Sequence, residues 1–120
     1  MAAQITSRQR RAIRTAALDE LVRTDLQIES LTRSLGDIID AAAMSNVDDE
    51  HDPEGSTIAF ERAQVTALLE QAKLDRQALA AMLERVERDN FGTCSVCTEF
   101  IGVERLMALP AAALCIRCAS

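Results

Sequence analysis

Aromatic side chains are nearly absent from this sequence. Its 120 residues include three phenylalanines and no tryptophan or tyrosine, so aliphatic side chains and alanines must supply most of the buried surface. Proline and glycine are also scarce, with two and four copies. This composition disfavours a large globular core and favours helices that pack closely along their length.

A long apolar stretch is missing as well. Residues 1–8 lack the hydrophobic run of a signal peptide, and no later stretch approaches the roughly 18 apolar residues that a membrane span needs. We therefore expect a cytoplasmic protein without a membrane segment.

Positive charge is in deficit. The chain has 13 Lys and Arg against 19 Asp and Glu, which gives a formal net charge of -6 and a sequence pI near 4.7. This is the wrong sign for binding nucleic acid by neutralising phosphates. A protein or metal partner suits the charge better.

All four cysteines lie in the last 27 residues, in two pairs: Cys94 with Cys97, and Cys115 with Cys118. Two C-x2-C pairs at this separation are typical of a four-cysteine zinc site. Cytosolic cysteines stay reduced, which favours metal ligands over disulfides. Four thiolates fill the zinc coordination shell and leave no position for a catalytic water. We predict one structural Zn²⁺ and no enzymatic activity.

Two other interpretations share this cysteine pattern. Two disulfides in a small secreted module would leave the long cysteine-free N-terminal part unexplained. A GATA-type DNA-binding finger has the same spacing, but from Cys94 to Ser120 the acidic residues Glu99 and Glu104 balance Arg105 and Arg117. Without a basic face, sequence-specific DNA binding is disfavoured.

Apolar residues recur at heptad spacing in two long segments, residues 7–44 and about 56–90. The a and d positions of the first segment are Leu21, Ile28, Leu35, Ala42, Ala17, Thr24, Leu31 and Ile38. The a positions of the second are Ile58, Val65, Ala72, Leu79 and Val86. Asp52 followed by Pro53 and, alternatively, Ser56 are rival starting points for the second helix.

These patterns predict a mainly α-helical protein. Residues 1–90 should form a long antiparallel coiled-coil hairpin, whose tip we define as residues 45–57. Residues 91–120 should form a small four-cysteine zinc-finger domain, which we call the zinc knob. Within the knob, residues 100–103 and 106–109 are expected to form two short strands.

The predicted tip is acidic. Seven Asp and Glu residues and no Lys or Arg occur between Asp37 and Glu54, whereas Arg8, Arg10, Arg11 and Arg14 lie at the opposite end of the first helix. A charge run at a loop is usually just a solvated turn. The charge alone therefore leaves open whether the tip has a function.

The residues around the cysteines resemble the DksA/TraR family of bacterial transcription regulators. The similar positions are Phe91-Gly92-x-Cys94-x-x-Cys97, Glu99-x-Ile101-Gly102-x-x-Arg105-Leu106-x-Ala108-x-Pro110 and Leu114-Cys115-Ile116-x-Cys118. The predicted hairpin also fits this family's architecture.

The resemblance implies a function. Members of the family bind RNA polymerase directly, insert the hairpin into its secondary channel and contact no specific DNA. Asp49, Asp52 and Glu54 would then lie near the catalytic magnesium; in many members an alanine occupies the place of Glu54. The resemblance also makes ppGpp a candidate ligand at the polymerase interface. We expect a monomer, although an intermolecular bundle would show the same heptad pattern.

Two further functions fit the residues. A Gre-like factor would stimulate transcript cleavage by the polymerase, with carboxylates at the tip holding a second magnesium. A zinc-capped coiled-coil adaptor would instead bind an unrelated protein. A cleavage assay on backtracked complexes tests the first, and a pull-down without polymerase subunits would favour the second.

Overall fold

Helices make up most of the chain. The computed structural model describes residues 5–45 and 53–120, with side chains described for residues 5–44 and 57–120. Within these ranges the chain forms four helices, in chain order α1 (Ser7–Ser45), α2 (Pro53–Arg85), α3 (Val103–Ala108) and α4 (Ile116–Ala119). The predicted mainly helical fold is confirmed. Among the described residues, no helix combines the length and apolar character needed to cross a membrane.

A reciprocal pair of hydrogen bonds defines the start of α1. The Gln9 N–H donates to the Thr6 hydroxyl over 3.0 Å, and the Thr6 N–H donates to the Gln9 side-chain oxygen over 2.9 Å. This capping box satisfies two backbone donors near the first helical turn. It explains why the helix begins directly after Thr6.

Helix α2 begins at Pro53, which is one of the two rival starts predicted from the sequence. The missing N–H of proline is not needed in the first turn. Its end at Arg85 comes earlier than the predicted end at Asn90. The reason is visible beyond Arg85, where the N–H groups of Arg88 and Phe91 donate to carbonyls three residues back, over 2.9 and 3.1 Å. Tight turns of this kind replace the last predicted helical turn.

One side chain stabilises this early helix end. The Arg10 guanidinium of α1 donates hydrogen bonds to the backbone carbonyls of Val86 and Arg88. Both carbonyls lie just beyond Arg85, the last residue of α2, and a cation at a helix C-terminus interacts favourably with the helix dipole. Arg10 therefore ties the first turns of α1 to the end of α2.

The chain forms two compact units. The first comprises Met1–Val22 and Arg76–Ser120, and the second comprises Arg23–Asp75. The first unit has one cluster of buried side chains from both helices and from the zinc knob: Ile5, Ile13, Ala17, Leu79, Met82, Val86, Phe91, Cys94, Ile101, Leu106 and Cys115. The cysteines are thus built into the same core as the helical side chains.

The second unit pairs the remainder of α1 with the first part of α2. Leu69, Ala72 and Thr24 are its buried side chains among the described residues. Near the other end, Ala42 of α1 and Ile58 of α2 line the same shallow groove. Residues late in α1 therefore lie beside residues early in α2, as the predicted antiparallel hairpin requires.

The prediction of two short strands within the zinc knob, at residues 100–103 and 106–109, is wrong. Residues 103–108 form α3 instead, and the extended structure described here is an isolated bridge between Thr93 and Phe100. Gly102 adopts a φ of 109°, which turns the chain into α3 and is open mainly to glycine. A short apolar run does not distinguish a strand from a buried helical turn.

Candidate metal centre

The four cysteine thiols converge on one point. Their Sγ atoms all lie within 4.8 Å of one another, and those of Cys97 and Cys115 are 3.7 Å apart. Cys94 and Cys115 are buried, whereas Cys97 and Cys118 are half-buried. The centre therefore has an inner side against the core and an outer side toward solvent.

The first cysteine pair lies in a tight backbone loop. The Cys94 N–H donates to the Glu99 carbonyl over 2.8 Å, and the Thr98 N–H donates back to the Cys94 carbonyl over 3.0 Å. Thr98 has a φ of 64°, a left-handed conformation that is strained for a β-branched residue. The Sγ atoms of Cys94 and Cys97 in this loop lie within 4.8 Å of each other.

The second cysteine pair lies at the start of α4. The N–H groups of Cys118 and Ala119 donate to the Cys115 carbonyl over 3.1 and 2.9 Å. This single helical turn brings the Cys118 sulfur next to that of Cys115, because residues three apart in a helix share a face.

Two contacts connect the halves of the knob. The Ser95 N–H donates to the Ala113 carbonyl over 2.9 Å, and the Arg105 side chain donates to the Leu114 carbonyl over 2.9 Å. Neither this role of Arg105 nor that of Arg10 was predicted from the sequence. Arg10 is one of four arginines near the start of α1, and nothing in the sequence separates it from the others.

The thiols differ in acidity because of their surroundings. Hydrogen bonds from the backbone N–H groups of Cys97 and then Cys115 lower the pKa of Cys94 to about 6. A bond from the Cys118 N–H likewise lowers the pKa of Cys115. Sharing a hydrogen bond with the Cys115 thiol raises the pKa of Cys118 to about 12.

For Cys97, an N–H bond from Glu99 lowers the pKa, but burial and the neighbouring thiols outweigh it and the net shift is upward. Four thiolates cannot share this space without a compensating cation, because like charges at such short distances oppose ionisation. A divalent cation removes that repulsion.

The donor set fits zinc. Zn–S bonds of about 2.3 Å in a tetrahedron place neighbouring sulfurs about 3.8 Å apart, close to the 3.7 Å between Cys97 and Cys115. Four thiolates complete the coordination shell, so the metal is structural. The site accommodates one structural zinc ion, as predicted from the sequence.

Gly92 supports the first cysteine loop and gives a testable prediction. Its φ is +90°, and a Cβ there would lie 2.9 Å from Cε1 of Phe100 and 3.3 Å from Cδ1 of Leu106. We expect Gly92→Ala to lower the free energy of unfolding by about 1–3 kcal/mol, because it combines backbone strain with overpacking. Urea denaturation measures the change.

Gly36→Ala is the matched control. A Cβ at Gly36 would meet nothing within 4 Å, and the residue lies in the interior of α1. The same substitution should therefore stabilise the chain by about 0.5–1 kcal/mol. Destabilisation by both changes, or by neither, would contradict the assigned role of Gly92.

The predicted tip residues are only partly covered by the structure. Asp49 and Asp52 lie outside the described residues, and Glu54 lies in the first turn of α2 without a described side chain. The three carboxylates lie outside the described side chains, so the tip site stays a prediction.

Comparisons with known proteins give two kinds of similarity. Residues 89–120 match the sequence model of the prokaryotic dksA/traR C4-type zinc finger. The RNA polymerase-binding transcription factor DksA of Haemophilus influenzae is 48% identical over 40 residues, which make up 33% of this chain and 28% of that protein. The sequence similarity thus covers less than a third of that relative.

The similarity in fold is wider. The structure of transcription factor DksA2 from Pseudomonas aeruginosa matches with a TM-score of 0.73 and 27% sequence identity, covering 94% of this chain and 81% of that one. The structural match therefore extends beyond the zinc finger to both long helices.

Proposed function

We propose that this chain, as a member of the DksA/TraR family, binds RNA polymerase and regulates transcription without catalysing a reaction itself. The observation that carries the proposal is the fold match to DksA2 over 94% of the chain. A second relative, the DksA of Haemophilus influenzae, is an RNA polymerase-binding transcription factor.

In the proposed mechanism, the tip enters the secondary channel of the polymerase. Helix α1 has 39 residues and α2 has 33; at 1.5 Å per residue these helices are about 58 and 50 Å long. Helices of this length suit the delivery of a loop into a deep pore. The zinc knob shares the buried cluster of the first unit with both long helices and would supply no reactive group.

The carboxylates of Asp49, Asp52 and Glu54 are the proposed acting groups. Carboxylate oxygens are hard ligands that suit Mg²⁺, and a negative tip is attracted to the electropositive surroundings of a nucleotide-entry channel. The tip would thereby change how the active centre holds its metal and substrates.

The proposal also covers the cellular location of the protein, its oligomeric state and its ligands. The protein would act in the cytoplasm as a monomer, and ppGpp is a candidate ligand of its interface with the polymerase. Promoter DNA would not be contacted specifically, because the zinc knob carries two acidic and two basic residues from Cys94 to Ser120 and lacks the basic patch typical of such binding.

Binding is tested with purified components. The zinc-loaded chain should co-elute with bacterial core RNA polymerase in size-exclusion chromatography and should change the yield of transcripts from a ribosomal promoter. Adding ppGpp to the same reactions tests its part. Separate elution at micromolar concentrations of both proteins would contradict polymerase binding.

A tip variant separates binding from regulation. The triple variant with Asp49→Asn, Asp52→Asn and Glu54→Gln removes the negative charges and keeps the size of the side chains. We expect it to bind polymerase with an affinity within about threefold of the unmodified chain and to reduce the transcriptional effect by about tenfold or more. In vitro transcription measures the effect.

The control removes charge elsewhere on the same helix pair. Asp37→Asn with Asp40→Asn changes two exposed carboxylates of α1 and should preserve regulation. If the tip variant regulates as well as the unmodified chain, the assignment of the three carboxylates is wrong.

A further inference from the structure

Helix α2 carries an exposed stripe of uncharged side chains. The stripe, which we call the back face, comprises Phe60, Gln64, Ala67, Gln71 and Leu74, at alternating spacings of four and three residues. All five are exposed, and Phe60 and Leu74 expose 70% and 57% of their surface. At about 100° per residue, these positions form one continuous strip along the helix.

Phe60 and Leu74 of the back face are turned away from the buried side of α2. In the same unit, Leu69 and Ala72 are the buried residues of α2 among those described, and they lie about 120–180° around the helix from the middle of the back face. Ala67 and Glu70 line the groove that contains Ala42 of α1, so one margin of the back face adjoins that groove. Its two large apolar side chains stay exposed.

An outer helix face normally carries charged residues, but here the charges are displaced to its edges. Glu61 and Asp75 lie along one edge and Glu70 along the other. The nearby cation Arg62 lies on nearly the opposite side of the helix from the back face and lines the groove with Ala42, as Glu70 also does. The Gln71 side chain donates to Asp75 over 2.9 Å, which keeps that carboxylate beside the stripe.

These edges decide between two kinds of occupant. If a second copy packed antiparallel across Ala67, like edges would meet, and Asp75 would lie near Glu61 of the second copy. Like charges facing each other across a helix pair are destabilising. A helix with basic edges would instead find a carboxylate on each side.

We propose that the back face is a docking surface for an amphipathic helix whose apolar stripe is flanked by Lys and Arg. Phe60 and Leu74 would act as apolar anchors two helical heptads apart, and the small Ala67 between them allows close approach of the incoming helix. The acidic edges would set orientation and make binding dependent on salt.

This inference does not depend on polymerase binding, and its test contains no polymerase. The probes are two fluorescent synthetic helical peptides of about 21 residues that share one Leu and Ala stripe. One peptide has lysines along both edges of the stripe, and the other has glutamates. Fluorescence anisotropy with the full zinc-loaded chain gives both affinities.

We expect the lysine-edged peptide to bind at least about tenfold more tightly, with the difference shrinking as salt increases. Phe60→Ser with Leu74→Ser should weaken its binding by about tenfold or more. The matched control is Leu26→Ser with Met44→Ser, two α1 side chains with 60% and 82% exposure, which should change the affinity less than about twofold.

Charge reversal makes the test more specific. In the variant with Glu61→Lys, Glu70→Lys and Asp75→Lys, the glutamate-edged peptide should bind more tightly than the lysine-edged one. Circular dichroism of each variant checks that the helices are retained.

Three results would overturn the proposal. The first is equal binding of the two peptides to the unmodified chain. The second is an α1 control that weakens binding as much as the back-face variant. The third is a dimer in sedimentation that Phe60→Ser with Leu74→Ser dissociates, which would assign the back face to a second copy.

Discussion

Cys97→Ser should remove stoichiometric zinc from the protein. A serine hydroxyl stays protonated near neutral pH and does not replace a thiolate in a zinc shell. Structural zinc sites have apparent binding free energies of about 10–16 kcal/mol, and we expect the loss of one thiolate to cost about 4 kcal/mol, or about a thousandfold in affinity. Zinc per chain after dialysis against a competing chelator measures the loss.

Val96→Ser is the control for this change. Val96 lies between the two cysteines of the first pair and exposes 69% of its surface, so its replacement should keep one zinc per chain. One zinc ion persisting in Cys97→Ser under conditions that preserve it in the control would contradict the four-cysteine assignment.

Loss of zinc should also lower the stability of the helices of the first unit. Cys94 and Cys115 belong to the buried cluster that contains Ile13 and Met82. In Cys97→Ser the three remaining thiols, which lie within 4.8 Å of one another, lose the metal whose binding contributes to the folding free energy. The unfolding temperature of Cys97→Ser should therefore fall, in addition to the loss of metal.

Met82→Ala is the second large effect that we expect. The Met82 side chain is fully buried in the cluster formed by both helices and the zinc knob. Replacing a buried methionine with alanine removes apolar contacts and leaves a cavity, at a cost of about 2–5 kcal/mol in the free energy of unfolding. Urea denaturation of the zinc-loaded protein measures this cost.

The chain provides the same chemical change at an exposed site. Met44 exposes 82% of its surface near the end of α1, and Met44→Ala should change the free energy of unfolding by less than about 0.5 kcal/mol. Equal effects of the two methionine substitutions would show that Met82 does not pack in the core as described.

The helices were predictable because their signals are local. Heptad spacing and the scarcity of proline and glycine predicted α1 nearly to its last residue, since an amphipathic helix repeats every few residues. Pro53 likewise marked the start of α2. The premature end of α2 at Arg85 was not predictable, because the carbonyls of Val86 and Arg88 are satisfied by Arg10, which is distant in sequence.

The zinc knob likewise contains one feature that the sequence predicted correctly and one that it did not. The spacing of its four cysteines predicted the zinc site, because ligand identity and separation are properties of the sequence. The strand prediction for residues 100–109 failed because Leu106 is buried from a helical turn that follows the left-handed Gly102. A short apolar run has no period long enough to separate the two structures.

The sequence by itself determined the two long helices, the zinc ligands and the acidic composition of the tip, all of which depend on residue type and spacing within one segment. Only the tertiary structure decided that the zinc knob and both helix ends share one buried cluster, and that Phe60 and Leu74 are exposed on the back face. Burial depends on which surfaces meet, and those surfaces come from segments that are far apart in the chain.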